Sequence, residues 1–204
     1  MPTLLISYHA QWTYMIVSKQ LSPPQAAVIA AVKDYSYVTA AFPRSGGKGY
    51  VARKCAMTYA NEHPGAQVLV VCISPQESYK QYNAESVNRN RDFYSILLHN
   101  GSTILFSNHP SPSDFTIFDD VYPNYADIDR GKFLFLATPI VDMDGKADIF
   151  TEIYNRGFDE AFPEWISIHS TYLDCTHWEN GEVDRMRVAI SEKAFKEDFE
   201  VEWK

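Results

Sequence analysis

The sequence predicts an α/β domain built on a mainly parallel sheet. Apolar runs of strand length alternate with helix-compatible segments along the chain, the order that produces parallel strands joined by crossover helices. Two of the runs, QVLVVCI (67–73) and KFLFLATP (132–139), are continuously apolar, as strands covered on both faces must be. A glycine-rich turn, PRSGGKG, lies between a short apolar run and a helical pattern.

Taken in order, Ser22-Pro23-Pro24 starts a helix through QAAVIAAVKDY, because serine can cap and proline suits the first turn. YVTAAF (37–42) is the first strand, and YVARKCAMTYANEH (50–63) is a helix closed by Pro64-Gly65. QVLVVCI is followed by a polar, helix-compatible stretch, PQESYKQYNAESV. In ILLHNGSTILFS (96–107), Asn100-Gly101 separates two apolar runs, which predicts a hairpin. DFTIFDD (114–120) is a strand ending in two carboxylates, and KFLFLATP ends in Thr-Pro. GKADIFTEIYNR forms a helix, with Asp144 near its start and Gly157 just past its end. EWISIHS (164–170) adds a strand, and Ser191 caps a last helix through SEKAFKEDFE. The chain is assigned as a single domain over residues 1–204, with 1–20 as a helical N-terminal extension.

Composition narrows the class. Of the 204 residues, 46% are hydrophobic and 14% aromatic, enough for a packed core rather than a disordered chain. No segment approaches the ~18 apolar residues of a membrane span, and MPTLLISYHAQWTYMIV lacks the basic flank and cleavage site of a secretory signal. Three scattered cysteines, Cys55, Cys72 and Cys175, form neither a disulfide frame nor a Cys-x-x-Cys metal knuckle and suit a reducing compartment. The formal charge of −8 argues against a protein that grips DNA by its own general basicity. Any such grip is local or belongs to a partner.

Three short motifs carry chemistry. In PRSGGKG, Gly47-Lys48 stands between strand and helix, where backbone N–H groups can wrap phosphates and the lysine can reach β- and γ-oxygens. Phe42 occupies the usual first glycine position, and Gly49 replaces the hydroxyl residue that normally holds Mg²⁺. Asp119-Asp120 closes a buried strand 71 residues after Lys48, where one acid can orient a metal and the next polarise an attacking water. Thr138 ends the following strand, 19 residues after Asp119, where a hydroxyl can sense the γ-phosphate. Each has a bland counterpart: a glycine turn with a surface lysine, a solvated acid pair, a strand end. Their joint order and spacing favour the chemical reading.

These motifs resemble the large terminases, the ATP-driven DNA packaging motors of tailed phages. Arg44-Ser45-Gly46-Gly47-Lys48 is similar to that family's Arg-x-x-Gly-Lys-Ser/Thr phosphate loop, except for the final hydroxyl. Leu21-Ser22-Pro23-Pro24-Gln25 matches its Leu-x-Pro-x-Gln adenine motif, IFDD its hydrophobic-Asp-Glu box, and Ala137-Thr138-Pro139 its coupling motif. AFKEDFEVEW looks like the segment that closes the ATPase half, so the likeness runs over residues 21–204.

The resemblance implies a three-layer P-loop NTPase fold of the RecA/ASCE kind, with an added β-hairpin. It implies ATP and Mg²⁺ as cofactors. Lys48 and the backbone of Ser45, Gly46, Gly47 and Lys48 would hold phosphates, with Gly49 beside them. Arg44 would act as a cis arginine finger, Gln25 would read the adenine edge, Asp119 would organise Mg²⁺, Asp120 would stand for the catalytic glutamate, and Thr138 would couple hydrolysis to movement. Implied partners are double-stranded DNA, the portal protein, the small terminase subunit and further copies in a ring, in the host cytoplasm and without a membrane. The nuclease half of the family is expected to be absent, as a deleted or separately encoded domain, and no DNA cleavage is expected.

Two departures bear on turnover. Gly49 carries no hydroxyl, leaving water or Ser45 to fill in, and Asp120 is one methylene shorter than glutamate. They favour a competing reading as a weak nucleotide-binding scaffold. A superfamily-2-like helicase fragment is a further alternative, but would need a second RecA-like domain. His169, Asp174, Cys175 and His177 lie close in sequence, yet a polar cluster fits them better than zinc. Arg89, Arg91 and Arg130 are read as surface residues before fingers into a neighbouring subunit.

Overall fold

The computed structural model describes residues 21–80, 87–89, 94–121, 123, 128, 131–139, 149–175 and 181–201. The 1–20 extension, Arg91, Arg130, Asp144 and His177 lie outside the described residues.

Among the described residues, eight strands form one sheet: β1 (Tyr37–Ala41), β2 (Gln67–Cys72), β3 (Val87–Arg89), β4 (Tyr94–Leu97), β5 (Thr103–Ser107), β6 (Phe115–Asp119), β7 (Lys132–Ala137) and β8 (Trp165–His169). Their order is β3-β4-β5-β2-β6-β7-β1-β8. From β5 to β8 every pairing is parallel, while β4 runs antiparallel to β5 and β3 to β4. The expected hairpin is therefore real and extends the sheet. Its connection is longer than a two-residue turn: Leu98 N–H donates to Ser102 O, and Gly101 takes the left-handed backbone at φ 84°.

Helix α1 (Pro23–Asp34) packs on α2 (Lys48–Glu62), and both cover one face of the sheet. That core joins Val28 and Val32 of α1 and Val51, Cys55 and Ala56 of α2 to Val38, Val70, Ile117 and Leu134. The other face is covered by α4 (Ile149–Arg156), whose Phe150, Ile153 and Tyr154 meet Leu69, Val71, Phe118 and Phe135. Alternate strand residues thus feed two cores, which explains why the central strands read as uninterrupted apolar runs. Val201, at the chain's C-terminal end, joins the second core.

The boundaries shift in small ways. Helix α2 starts at Lys48 rather than Tyr50: Gly47 is its N-terminal cap, its carbonyl already accepting the Val51 N–H at 3.1 Å. Ile73 leaves β2 and is exposed. Short helix α3 (Pro75–Lys80) fills part of the polar stretch. Ser191 caps α6 (Glu192–Phe195) by accepting the Ala194 N–H at 3.2 Å, and a π-helical turn (Lys196–Glu200) follows. Helix α5 (Glu182–Ala189) buries no residue, so it left no apolar periodicity in the sequence.

Candidate active site

The site forms where β1, β7 and β6 end side by side. Ala41 is in register with Ala137, and Asp119 with Leu136. The next residues keep the ladder going: Phe42 N–H donates to Ala137 O, and Asp120 N–H to Leu136 O, both at 2.9 Å. Phe42 and Asp120 are thereby held by backbone bonds on either side of β7, next to Thr138 at its end.

Beyond Phe42 the chain turns sharply. Gly46 N–H donates to Pro43 O at 2.9 Å, and a Cβ on Gly46 would lie 2.8 Å from Pro43 Cδ. Ser45, although not glycine, takes the left-handed backbone at φ 57°, and Gly47 follows at φ 88°. This turn delivers Lys48 to the first position of α2, where the helix N-terminus favours anions. Of the four backbone N–H groups expected to face phosphate, that of Gly46 is turned back onto Pro43.

Lys48 is buried, at 7% exposure. Its ammonium has three donors, and three partners meet it: Thr138 Oγ1 at 2.7 Å, Pro43 O at 3.3 Å and Asp120 Oδ2 at 3.5 Å. Thr138 also donates its backbone N–H to Asp120 Oδ1 at 3.3 Å. One lysine therefore joins the glycine turn, the acid pair and the Thr-Pro strand end. Asp120 takes the left-handed backbone at φ 55°, which brings its carboxylate back over the strand ends. Asp119 stays in line with β6. Burial, and then the neighbouring Asp120 carboxylate, raise its pKa to about 6 against the opposing pull of Lys48.

Two expected residues are engaged differently. The Arg44 guanidinium meets Asp198 Oδ2 through Nε at 3.1 Å, and Arg44 N–H donates to Asp198 O at 2.7 Å. The phosphate loop is thus tied to the C-terminal turn. The sequence signals a helix there but nothing that singles out Asp198 as Arg44's partner. Gln25 is buried, its Nε2 donating to Gly46 O at 3.2 Å and its Oε1 accepting Ser22 N–H at 3.1 Å. Gly49 lies in the first turn of α2, so no side-chain hydroxyl enters from that position.

The second cluster divides. Asp174 Oδ2 accepts the Thr171 N–H at 2.8 Å and so serves its own turn, while Cys175 Sγ donates to Thr171 O. His169 Nδ1 is 3.4 Å from the Tyr154 hydroxyl, and burial lowers its pKa against the opposing Asp174 charge. Among the described residues no group of three or more His, Cys, Asp or Glu is placed to hold a metal. A cavity of about 460 Å³ lined by Lys33, Tyr59, His63 and Lys132 lies at the other end of the sheet, away from this chemistry.

Comparison with known proteins adds relatives to this geometry. No protein-family model matches the chain. The large terminase subunit of Escherichia phage T5 is 27% identical over 214 aligned positions, covering 88% of this chain and 47% of that protein. Among solved structures, the ATPase domain of the Thermus phage P74-26 large terminase aligns with a TM-score of 0.62 at 16% identity, covering 94% of this chain and 97% of that one. The chain resembles a large terminase. Its fold is that of a large-terminase ATPase domain, a P-loop NTPase fold with strands added at one edge. The HK97 bacteriophage large terminase aligns at a TM-score of 0.59 and 13% identity, over 90% of this chain and 44% of that one. The large terminase of a thermophilic bacteriophage, solved with ATP-gamma-S, gives 0.67 at 16% identity over 90% of this chain and 53% of that one. The chain spans about half the length of the phage T5 relative.

Proposed function

We propose that this chain is the ATP-hydrolysing motor domain of a large terminase and powers movement of double-stranded DNA into a procapsid. The observation that carries the reading is Lys48, a buried cation at a helix N-terminus whose partners come from all three motifs. Its three partners are weak or exchangeable ones: a carbonyl, a hydroxyl and a half-exposed carboxylate at 46%. An arriving phosphate can replace them without leaving the ammonium unpaired.

ATP and Mg²⁺ fit the donor set. Mg²⁺ is commonly held by one or two carboxylates together with phosphate oxygens and water, and Asp119 and Asp120 supply that pair. The bound nucleotide supplies the phosphoanhydride that is cleaved, and the cation offsets its charge. Lys48 and the backbone N–H groups of Ser45 and Gly47 are assigned to the phosphate end, while the Gly46 N–H stays with Pro43 O. Asp119, less readily ionised because it is buried, gains most from a nearby cation. Asp120 is assigned to orient water. Thr138 touches Lys48 through its hydroxyl and Asp120 through its N–H, so it can pass a change at either to β7. Arg44 is assigned to the γ-phosphate, and its Nε and backbone N–H contacts with Asp198 tie it to the C-terminal turn.

The portal, the small subunit, DNA and further copies in a ring are proposed as partners, in keeping with the likeness to the large terminase subunit of phage T5. Localisation to the host cytoplasm is proposed with them; among the described residues no helix is long and apolar enough to cross a membrane. The test is steady-state ATP hydrolysis with and without Mg²⁺, beside Lys48→Ala. Mg²⁺-dependent turnover that drops at least a hundredfold in the variant is expected. Nucleotide binding without turnover would instead favour the scaffold reading.

A further inference from the structure

Gln25 is the third residue of α1, yet its side chain belongs to the phosphate loop. Its Nε2 donates to the carbonyl of Gly46, 21 residues away, and its Oε1 is bound by the Ser22 N–H. The two bonds fix the amide's orientation, since exchanging its oxygen and nitrogen would break both. At 8% exposure, the amide has little surface left for a base.

The consequence for the loop follows from peptide geometry. A trans peptide is planar, with its C=O and N–H pointing in opposite directions. A bond that holds the Gly46 carbonyl towards α1 therefore turns the Gly47 N–H away from α1. Gly47 is also where a side chain is excluded: at φ 88°, a Cβ would lie 2.5 Å from Gln25 Nε2. A side chain at Gly47 would therefore displace the Gln25 amide from the loop.

We infer that Gln25 is a positioning residue for the phosphate loop, acting through the Gly46–Gly47 peptide, rather than a reader of the adenine edge. This rests on the nucleotide-binding reading above. A base reader affects only ligands that carry the base. A residue that orients a loop N–H affects every ligand that carries the phosphates.

The experiment compares Mg²⁺ complexes of ATP, GTP and inorganic tripolyphosphate by titration calorimetry on the full chain. The proteins are wild type, Gln25→Met and Gln25→Glu. Methionine keeps the volume of the buried side chain while removing both hydrogen bonds, so the fold has its best chance of surviving. Gln25→Met is expected to weaken all three ligands by a common factor of about ten, with the ATP-to-GTP ratio unchanged. Gln25→Glu should be at least as weak, because its carboxylate faces the Gly46 carbonyl with no donor. The amide resonance of Gly47 should shift in ligand-free Gln25→Met, a readout that needs no binding. A loss confined to ATP, or a Gly47 amide that does not move, overturns the inference and leaves the nucleotide reading standing. Wild-type chain that takes up none of the three overturns both.

Discussion

Replacing Asp119 with asparagine should make the ligand-free protein more stable while removing the metal-dependent turnover proposed above. Burial and the adjacent Asp120 carboxylate raise the pKa of Asp119 from 3.8 to about 6, with Lys48 opposing them. A shift of about two units corresponds to about 3 kcal/mol of penalty on the ionised form. That shift already includes the Lys48 attraction, so about 3 kcal/mol is the gain expected at neutral pH. The native state holds this proton to higher pH than the unfolded chain does. From about pH 4 to about pH 6 it therefore binds more protons, and stability falls as pH rises through that window. An amide cannot ionise and escapes this loss. Scanning calorimetry without divalent cations should show Tm higher by about 6–12 °C at neutral pH. The gain should vanish at about pH 4 and below. Mg²⁺ with nucleotide should stabilise the wild type and leave the variant little changed. A Tm that falls at neutral pH, or a difference independent of pH, would refute the electrostatic account of the acid pair.

Two other substitutions probe the frame around the site. Gly49→Ser returns a hydroxyl to the first turn of α2, and Mg²⁺-dependent hydrolysis should rise several-fold, read as a lower Mg²⁺ concentration at half-maximal rate. An unchanged requirement would mean that the cation draws nothing from that position. Gly157→Ala puts a Cβ on the Ser167 backbone and 2.6 Å from the Ile166 carbonyl carbon. Chemical denaturation should report a loss of at least about 3 kcal/mol, since backbone cannot rotate aside as a side chain can.

The central sheet was legible because its strands are covered on both faces, so Val68 to Cys72 and Phe133 to Ala137 carry no polar interruption. Helix α5 was not, because it buries nothing and so has no stripe to detect. In the site, Lys48, Asp120 and Thr138 could be named from order and spacing, and they do meet. The attachment of Arg44 to Asp198 could not, because it joins residues far apart in sequence. Gln25 was legible as a motif residue, but its direction was not. Whether its amide faces a base or a loop depends on how α1 packs against the glycine turn, which local sequence does not encode.

The sheet order has a consequence for the width of the site. Because β7 runs between β1 and β6, the loop-bearing strand and the acid-bearing strand stand two strand spacings apart, about 10 Å. That distance is a ruler made of backbone hydrogen bonds, so it does not depend on which apolar side chains fill the cores above and below. Only a long side chain can span it, and the reach of Lys48 to Asp120 does so now. Core residues can drift in evolution while the gauge of the opening stays constant, and changes in what fits there must come from the few side chains at its rim.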